Sequence, residues 1–538
     1  MFLRLFNRLI VILIIKTSYN YVFIYFLIHF LIYSLSQNLK TLQKMKKLIL
    51  SLAAAMAIVS CSKNDDIPQE NVEQQTELLT KDQINSKIQE SIDTKGDFFW
   101  TDTDAHTIWS AVKHGDNMLT IGYGNSADEF QKNSSSDLIK DDIIKLVRTI
   151  ENTNNSTKGK DELYVDQTLN IIDIKVDNKE TIEALLKDSR VRYLEPATYK
   201  LETQDGVSKS GEGFGCGYSS RTLSSSDYRT IAPGARVPWN FDIHNIPSAW
   251  NYSTGRGITV AVIDSGLSPD QKWMNQYFND GYSSGRTVQK YGTYVDSWWA
   301  WSNNYDGVND KCGHGTSMAS VATAPRNNDN LPVGVAYNAN LVTYRAVQNV
   351  LIDDYHEKRG VAEALTAIGN RSDIKIVSMS IGSPFSSSRV ADAIRYAYNR
   401  GKLIIAAGGT STSVTNWYGV IFPANMNETV AVTGLKEGRY TRCGNCHSGS
   451  KIDFTIEMER NSGNFVPVLS YYNGASNYVG GSSVATATTA GIAALVWARN
   501  PGWSRSQVLD KMKRAGEFYP NRNSSFGYGN IDALKAVQ

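Results

Sequence analysis

Hydrophobic and polar positions between residues 95 and 200 follow the pattern of a small α+β domain. Three segments carry the alternation or apolar content of strands, and between them apolar side chains recur at helical spacing. The strand segments are "MLTIGY" (118–123), "LNIIDIKV" (169–176) and "VRYLEP" (191–196), and the helical segments cover 138–150 and 182–186. The pattern therefore predicts a strand, helix, strand, helix, strand unit.

The pattern changes in the second half of the chain, where apolar runs rich in β-branched residues replace simple alternation. Such runs are typical of strands buried on both faces of a parallel sheet. They are "GITVAVIDSG" (257–266), "NLVTYRAV" (340–347), "IKIVSMSIG" (374–382) and "KLIIAAGG" (402–409), with helical patterns near 357–369 and 387–400. This alternation predicts an α/β fold, with a doubly wound, mostly parallel sheet flanked by helices.

A segment rich in glycine and serine, Gly206 to Ser225, separates the two patterns. Its low apolar content predicts a linker that is open to proteolysis. We therefore assign 95–204 to the small domain, 205–235 to a linker with a processing region, and 236–538 to the α/β domain.

The N-terminal region carries an export pattern. Met45, followed by two lysines, opens a short apolar run that ends just before Cys61, which resembles a bacterial lipoprotein signal. Residues 1–60 are then an upstream segment and a signal peptide, with Met45 as the predicted start of translation. The alternative is that residues 1–44 belong to the protein and contain a membrane segment. The pattern predicts lipidation at Cys61, a polar tether over 61–94, and anchoring to a bacterial membrane, including the outer membrane or cell surface.

Composition and cysteine content limit the function classes. The chain is 41% hydrophobic and 20% charged, with a formal net charge of +2, so it has the composition of a folded protein and offers no electrostatic reason for nucleic-acid binding. Besides Cys61 there are four cysteines, whose three possible pairings the sequence leaves open. Cys443 and Cys446 followed by His447 match the CxxCH haem pattern, although short motifs of this kind often match by chance and a local disulfide or a surface loop staple is the better interpretation. A zinc site would need further ligands that no nearby spacing supplies.

The segment "GGSSVATA" (480–487) contains two serines, and one of them is either a catalytic nucleophile or only a helix cap. A nucleophile would need a base and an acid elsewhere in the chain. A base is present at His314, in the glycine-framed "CGHGTSMA" (312–319), and an acid at Asp264, at the carboxyl end of a predicted strand. Glycines on both sides let backbone and substrate approach the ring. Acid, base and nucleophile in this chain order form one of the known serine-protease triads. A strand-end turn and a buried polar histidine are the structural alternatives.

Together, "AVIDSG", "GHGTSMA" and "GGSSVATA" resemble the catalytic signatures of the subtilisin-like serine peptidases. Further similarity in "VPWNFDIHNIPSAW", "SMSIG" and "FGYGNIDALKAV" extends the resemblance over 237–538, and the small domain, closing with "DSRVRYLEP", resembles the family's inhibitory propeptide. The resemblance implies a serine endopeptidase that acts through an acyl-enzyme, with Ser483 as nucleophile, His314 as base and Asp264 orienting the ring. It also implies a zymogen that is cleaved between about Lys200 and Arg236 and needs no cofactor.

The chain departs from the family pattern at the site that stabilises the oxyanion. The asparagine that ends the matching family segment falls on Gly409, or on Thr410 after a one-residue slip. In subtilisin, loss of this asparagine costs about 10² to 10³ in turnover. We predict that Thr410 is a partial replacement, with Ser411 and Asn416 as alternatives. The departure also leaves a second function open, a surface binding protein on the same scaffold with weakened catalysis.

Two further expectations concern substrate and metal. Ser380, Ile381 and Gly382 match the family's substrate-binding segment, where an extended peptide pairs as an added strand, although an interior strand end is the alternative. The insertion over 273–309 is expected to form a lid or loop near the site. Within it and just beyond, Asp306, Asn309 and Asp310 could hold calcium, although a solvated turn explains them better.

Overall fold

The computed structural model describes residues 77–126, 130, 134–151, 162–200, 215–411 and 419–538. Residues Glu77–Gln538 form one compact unit. The predicted signal peptide, Met45 and Cys61 lie outside the described residues, so these predictions stay predictions.

In the small N-terminal part, the described residues form four α-helices and four strands. They are α1 (Lys81–Lys95), α2 (Ala105–His114), β1 (Met118–Tyr123), α3 (Ser134–Ile150), β2 (Leu163–Val165), β3 (Ile171–Lys175), α4 (Lys179–Lys187) and β4 (Val191–Pro196). The strands form an antiparallel sheet in the order β2-β3-β1-β4. Its core packs Ile121, Ile172 and Leu194 against Ile143 of α3 and Ile182 of α4. The predicted order of three strands and two intervening helices agrees with this structure.

The tether predicted over 61–94 is wrong for its last part, because Lys81–Lys95 is a helix. Thr80 caps it, accepting a hydrogen bond from the Gln83 N–H, while the Gln83 side chain accepts from the Thr80 N–H. Three isoleucines one turn apart, Ile84, Ile88 and Ile92, are buried against Phe98 and neighbouring aromatic rings. Their spacing is helical, but the polar residues between them hide the pattern in a composition-based interpretation.

The remaining elements form the large α/β part. They are β5 (Tyr228–Ile231), β6 (Ala235–Pro238), α5 (Trp239–Ile243), α6 (Ile246–Ala249), β7 (Thr259–Asp264), β8 (Val288–Gly292), α7 (His314–Thr323), β9 (Asn340–Arg345), α8 (Tyr355–Gly369), β10 (Ile374–Met379), α9 (Ser388–Asn399), β11 (Leu403–Ala407), β12 (Thr429–Lys436), β13 (Ile452–Glu459), β14 (Val466–Leu469), β15 (Ser476–Val479), α10 (Gly481–Arg499), α11 (Arg505–Arg514) and α12 (Ala533–Val537).

Seven strands form one parallel sheet in the order β13-β12-β11-β10-β7-β9-β8. Both faces are covered, as β7 shows: Val260 and Val262 belong to the cluster on one face, whereas Ala261 and Ile263 belong to the cluster on the other. Successive side chains of a strand point to opposite faces. A strand that is buried on both faces, such as β7, therefore needs apolar side chains at successive positions. The predicted fold class is confirmed.

Helix α10 lies in the core, and its small residues allow close packing. A Cβ at Gly491 would lie 2.4 Å from the Cβ of Val335, so that position has no room for a side chain. Among the described residues, α10 is the helix long and apolar enough to cross a membrane, but 89% of that stretch is buried inside the protein. The apolar character of α10 is thus explained by its place in the core.

The predicted linker differs from the structure over its second half. From Gly215 onward the chain lies on the α/β part: the Gly217 N–H donates to the Cys312 carbonyl at 2.8 Å, and the Arg221 N–H donates to that of Ser476 at 2.8 Å. β5 and β6 then pair as an antiparallel hairpin. Glycine and serine content indicated flexibility here, whereas backbone hydrogen bonds and a disulfide hold this segment in place.

Candidate active site

Asp264 ends the interior strand β7, at the carboxyl edge of the parallel sheet, where ligand sites of such sheets lie. Its side chain is almost fully buried. One carboxylate oxygen accepts hydrogen bonds from the backbone N–H of Ser265 at 2.8 Å and from its hydroxyl at 3.2 Å. Both oxygens face His314 Nδ1, at 2.9 and 3.0 Å. Asp264 is therefore fixed from its own strand and is aimed at the imidazole.

His314 is the first residue of α7, and Asp310 holds the start of that helix. One oxygen of Asp310 accepts from the backbone N–H groups of Cys312 and Gly313, at 2.8 and 2.7 Å, and the other accepts from the Thr316 N–H at 2.9 Å. The hydroxyl groups of Ser265 and Thr316 also donate to this carboxylate. These contacts fix the backbone from which the ring projects.

The protonation state of His314 depends on two opposing effects. Burial alone lowers the pKa of His314, since the charged ring would lose its water. The charge of Asp264 and its hydrogen bond raise the pKa, and the charge of Asp310 adds to this, so that the net pKa lies above the usual value for histidine. A ring with its Nδ1 proton on Asp264 leaves Nε2 as the proton acceptor.

The structure distinguishes the two serines at the start of α10. Ser482 is buried, and its hydroxyl accepts from the Gly409 N–H at 3.2 Å and pairs with the Thr410 hydroxyl at 3.0 Å. Ser483 is partly exposed in the cleft, where its hydroxyl makes one weak contact, to the Ser380 carbonyl at 3.4 Å. As the third residue of α10, Ser483 also has a backbone N–H among those left free at a helix start. Ser483 is therefore the serine placed for reaction.

A cleft of about 450 Å³ contains these groups. His314, Ser483, Ser380 and Thr410 all line it. Asp264 is not among the lining residues and lies behind His314, as its burial requires. The three predicted triad residues are thus brought to one place, although they are separated by more than 200 positions along the chain.

Gly409, on which the family's asparagine falls when the segment is matched without gaps, has no space for a side chain. Its φ is +121°, and a Cβ built on it would lie 2.4 Å from Nδ1 of His447. The imidazole of His447 is buried behind this position, where its Nδ1 pairs with the Gly419 carbonyl at 3.0 Å. The packing of His447 therefore leaves no room for an asparagine side chain at Gly409, so the absence of the amide involves more than this one position.

Thr410, the predicted replacement, lines the cleft but is bound to the start of α10. Its hydroxyl accepts from the Ser482 N–H at 3.1 Å and pairs with the Ser482 hydroxyl. Gly481 approaches it closely: at φ +84°, a Cβ there would lie 2.8 Å from Oγ1 of Thr410. Thr410 thus supports the backbone that carries Ser483. Asn416, an alternative from the sequence, lies outside the described residues.

The predicted substrate segment is only partly open. Gly382 already pairs with the neighbouring loop, because its N–H donates to the Val350 carbonyl at 3.0 Å and its carbonyl accepts from the Ile352 N–H at 2.9 Å. Ser380 instead faces the nucleophile, with its hydroxyl donating to the Ser483 carbonyl at 3.0 Å. Ser380 and Ile381 both lie in the cleft lining, and pairing of a peptide with them stays a prediction.

The carboxylates considered for calcium are engaged otherwise. Asp306 forms ion pairs with Lys311 and with Arg345, and Asp310 accepts the hydrogen bonds that organise α7. Both carboxylates therefore already have partners in the protein. Within the described part of the chain there is no group of three or more His, Cys, Asp or Glu side chains suited to a metal.

The insertion over 273–309 was expected to form a lid or a loop near the site, and none of the described residues lining the cleft belongs to it. Instead, Ala300 and Trp301 pack against Met118 and Ala197 of the small domain. The backbone carbonyl of Trp299 contacts His356 Nε2 at 3.1 Å. Aromatic content alone could not distinguish these two locations.

Disulfides were left open by the sequence, and the structure pairs Cys216 with Cys312 and Cys443 with Cys446. The first pair ties the later part of the predicted linker, from Gly215 onward, to the loop just before His314. Gly215, Gly217 and Arg221 consequently line the same cleft as the triad. This wall was missed because neither spacing nor composition indicates which distant cysteine is near.

Comparison with known proteins agrees with this geometry. The subtilase family model (Peptidase S8) matches residues 255–529. The chain belongs to the subtilase family. Subtilisin BL of Lederbergia lenta is 29% identical over 307 residues, which cover 56% of this chain and 99% of that protein. The minor extracellular protease Epr of Bacillus subtilis (strain 168) is 28% identical over 316 residues, which cover 57% of this chain and 43% of that protein.

The fold of this subtilase is also similar to a solved structure, fervidolysin from Fervidobacterium pennivorans. The TM-score is 0.54 at 17% identity, and the match covers 78% of this chain and 61% of that one. The family and its relatives identify the protein as a subtilisin-like serine endopeptidase, whose substrates are proteins or peptides.

The raised pKa of His314 predicts the pH dependence of the subtilase. His314 must be unprotonated to accept a proton, so kcat/KM should fall as pH drops through an apparent pKa above 6.5. In Asp264→Asn the raising charge is lost while burial remains. The acid limb should move to lower pH, and the rate should fall by about 10⁴. Rate profiles of both proteins against pH check this, and an unmoved limb in the variant would contradict it.

Proposed function

We propose that this subtilase hydrolyses peptide bonds through an acyl-enzyme formed on Ser483. His314 takes the Ser483 proton as the hydroxyl attacks the substrate carbonyl, and later returns it to the leaving amine. Asp264 keeps the proton on Nδ1 and stabilises the charged ring. The observation that carries this proposal is the buried hydrogen bond between Asp264 and His314, in a cleft that Ser483 also lines.

The oxyanion is stabilised by the backbone N–H of Ser483 at the start of α10, where the helix dipole favours negative charge. Thr410 contributes as a partial replacement for the missing asparagine indirectly, by holding the backbone and hydroxyl of Ser482 next to Ser483. Catalysis with fewer donors is expected to be slower than in relatives that keep the amide. The absence of that amide is also the observation that favours the alternative function, a binding protein with weakened catalysis.

The small domain is proposed to act as an inhibitory propeptide. Its sheet packs on α8 and α9 through buried charged groups: Arg389 pairs with Asp173, which also accepts from the Tyr355 hydroxyl at 2.8 Å. Arg192 pairs with Asp392 at 2.7 Å. Loss of one partner from such a buried pair strongly destabilises the folded protein, because the other charge stays buried without compensation. The contact between the two domains therefore depends on an orientation in which both pairs are formed.

The last strand of the small domain directs the chain toward the cleft. Glu195, near the end of β4, accepts from the Ser388 N–H at 2.6 Å at the start of α9, a favourable place for a carboxylate. Lys200 then pairs with Asp354 at 2.5 Å, and Gly215 lines the cleft. Residues 201–214, which join these two points, lie outside the described residues, and we propose that the cleaved peptide bond is among them.

We further propose that the protease is exported and held by a lipid on Cys61, as the sequence before residue 62 indicates. The two disulfides among the described residues suit an oxidising compartment. The name of one relative, a minor extracellular protease, agrees with export.

Labelling with a fluorophosphonate probe tests the catalytic proposal. Protein produced as residues 62–538 should become labelled at Ser483 once its propeptide has been removed, because an activated serine and an oxyanion site are both needed for this reaction. Ser483→Ala should remove the label completely. The adjacent Ser482→Ala is the matched control and should still be labelled, at a reduced rate, since Ser482 supports Gly409 and Thr410. Absence of label in the wild type would favour the binding protein.

The position of the processing site makes a second prediction. Residues from Gly215 onward are held by hydrogen bonds and by the Cys216–Cys312 bond, so we expect cleavage before Gly215. The propeptide should then separate from the catalytic part on a denaturing gel without reductant. Cleavage between Gly217 and Arg236 would instead leave both fragments joined through Cys216 until reduction. Ser483→Ala, which should remain uncut, is the control for self-cleavage.

A further inference from the structure

The loop closed by the Cys443–Cys446 disulfide reaches the catalytic cleft. Asn445, at the tip of this loop, lines the same cavity as Ser483, His314 and Thr410. The side chain is exposed to solvent, and its amide has no hydrogen-bond partner among the described residues. A polar group that can both donate and accept thus stands in the cleft without a structural task.

The loop holds Asn445 from both sides. The disulfide bridges the residues on either side of Gly444 and Asn445, and the Cys446 N–H donates to the Cys443 carbonyl at 3.1 Å. The Ser411 N–H donates to the Asn445 carbonyl at 2.5 Å, next to a bridge between Thr410 and Cys446. The backbone of Asn445 is therefore tied directly to the segment that follows Gly409, and its position relative to that segment is fixed.

The same loop occupies the place of the missing asparagine side chain. His447, the residue after the disulfide, brings its ring to 2.4 Å from a Cβ at Gly409 and so excludes a side chain there. The His447 N–H also donates to the Gly409 carbonyl at 2.9 Å. One loop thus blocks the usual amide and presents another amide to the cleft two residues earlier.

The other groups near Ser483 are less suited to this task. The Thr410 hydroxyl is bound to both the backbone and the hydroxyl of Ser482. Asn477, which also lines the cleft, donates its amide to the Ser219 hydroxyl at 3.2 Å. Asn445 is the remaining side-chain amide in the described lining, and an amide is the donor that stabilises an oxyanion in related chemistry.

We propose that Asn445 is a catalytic residue, whose side-chain N–H donates to the substrate carbonyl oxygen as it becomes negative. It acts together with the Ser483 N–H and takes over the role of the asparagine absent at Gly409. This inference rests on the proposed function, because it needs an acyl-enzyme formed on Ser483. The disulfide loop then serves to hold the donor in place before substrate binds, as effective oxyanion sites require.

Steady-state kinetics of the mature protein on one peptide substrate test the proposal. Asn445→Ala should lower kcat by about 10²-fold with little change in KM, because the lost hydrogen bond forms mainly in the transition state. Asn445→Asp should lower kcat further, since a carboxylate cannot donate and repels the oxyanion. Asn461→Ala, an exposed asparagine outside the cleft lining, is the matched control and should keep the wild-type values.

Three outcomes would overturn the proposal: an unchanged kcat in Asn445→Ala, a change confined to KM, or equal losses in the Ala and Asp variants. A change in KM alone would make Asn445 a substrate-binding residue only. Labelling of Ser483 by the fluorophosphonate in the wild type separates these results from failure of the proposed function, which would leave every variant and the wild type inactive.

Discussion

The active site depends on one buried contact, the hydrogen bond between Asp264 and His314. A carboxylate and an imidazole are costly to bury unless each satisfies the other. Here the carboxylate is held by its own strand end and the imidazole by a helix whose first turn is bound to Asp310. Charge on Asp264 offsets the effect of burial on His314 and raises its pKa. The parallel sheet and α7 are the framework that brings these two side chains to a fixed distance.

The other side of the reaction centre is organised differently from the family pattern. Packing of His447 against Gly409 and the contact of Thr410 with Ser482 stabilise the backbone around Ser483. They also use the space and the hydroxyl that an oxyanion donor would need. In our account the disulfide loop supplies Asn445 in return. The loss of the asparagine amide at Gly409 and the gain of the Asn445 amide thus have the same cause, because the disulfide loop and the His447 that follows it produce both.

Much of the fold could be predicted from sequence, because each buried parallel strand is a continuous apolar run. β7, β9, β10 and β11 fall within predicted segments. Helix α1 was missed because its three isoleucines stand among polar residues. The segment after Gly215 was taken for a flexible linker because its hydrogen bonds and disulfide join residues far apart in the chain. Composition describes the local chain and carries no information on distant partners.

The triad candidates came from motifs in which short-range pattern and chemistry coincide, whereas Asn445 stands in a motif that suggested only a staple or haem attachment.

The most direct test of the account is a crystal structure of the mature protein with a peptide boronate, whose boron bonds to an active serine. We predict a bond from boron to Ser483 Oγ, with a boronate oxygen about 2.7–3.1 Å from both the Ser483 backbone nitrogen and the Asn445 amide. Boron bonded to another residue would contradict the assigned nucleophile. A boronate oxygen remote from Asn445 would contradict the assigned donor.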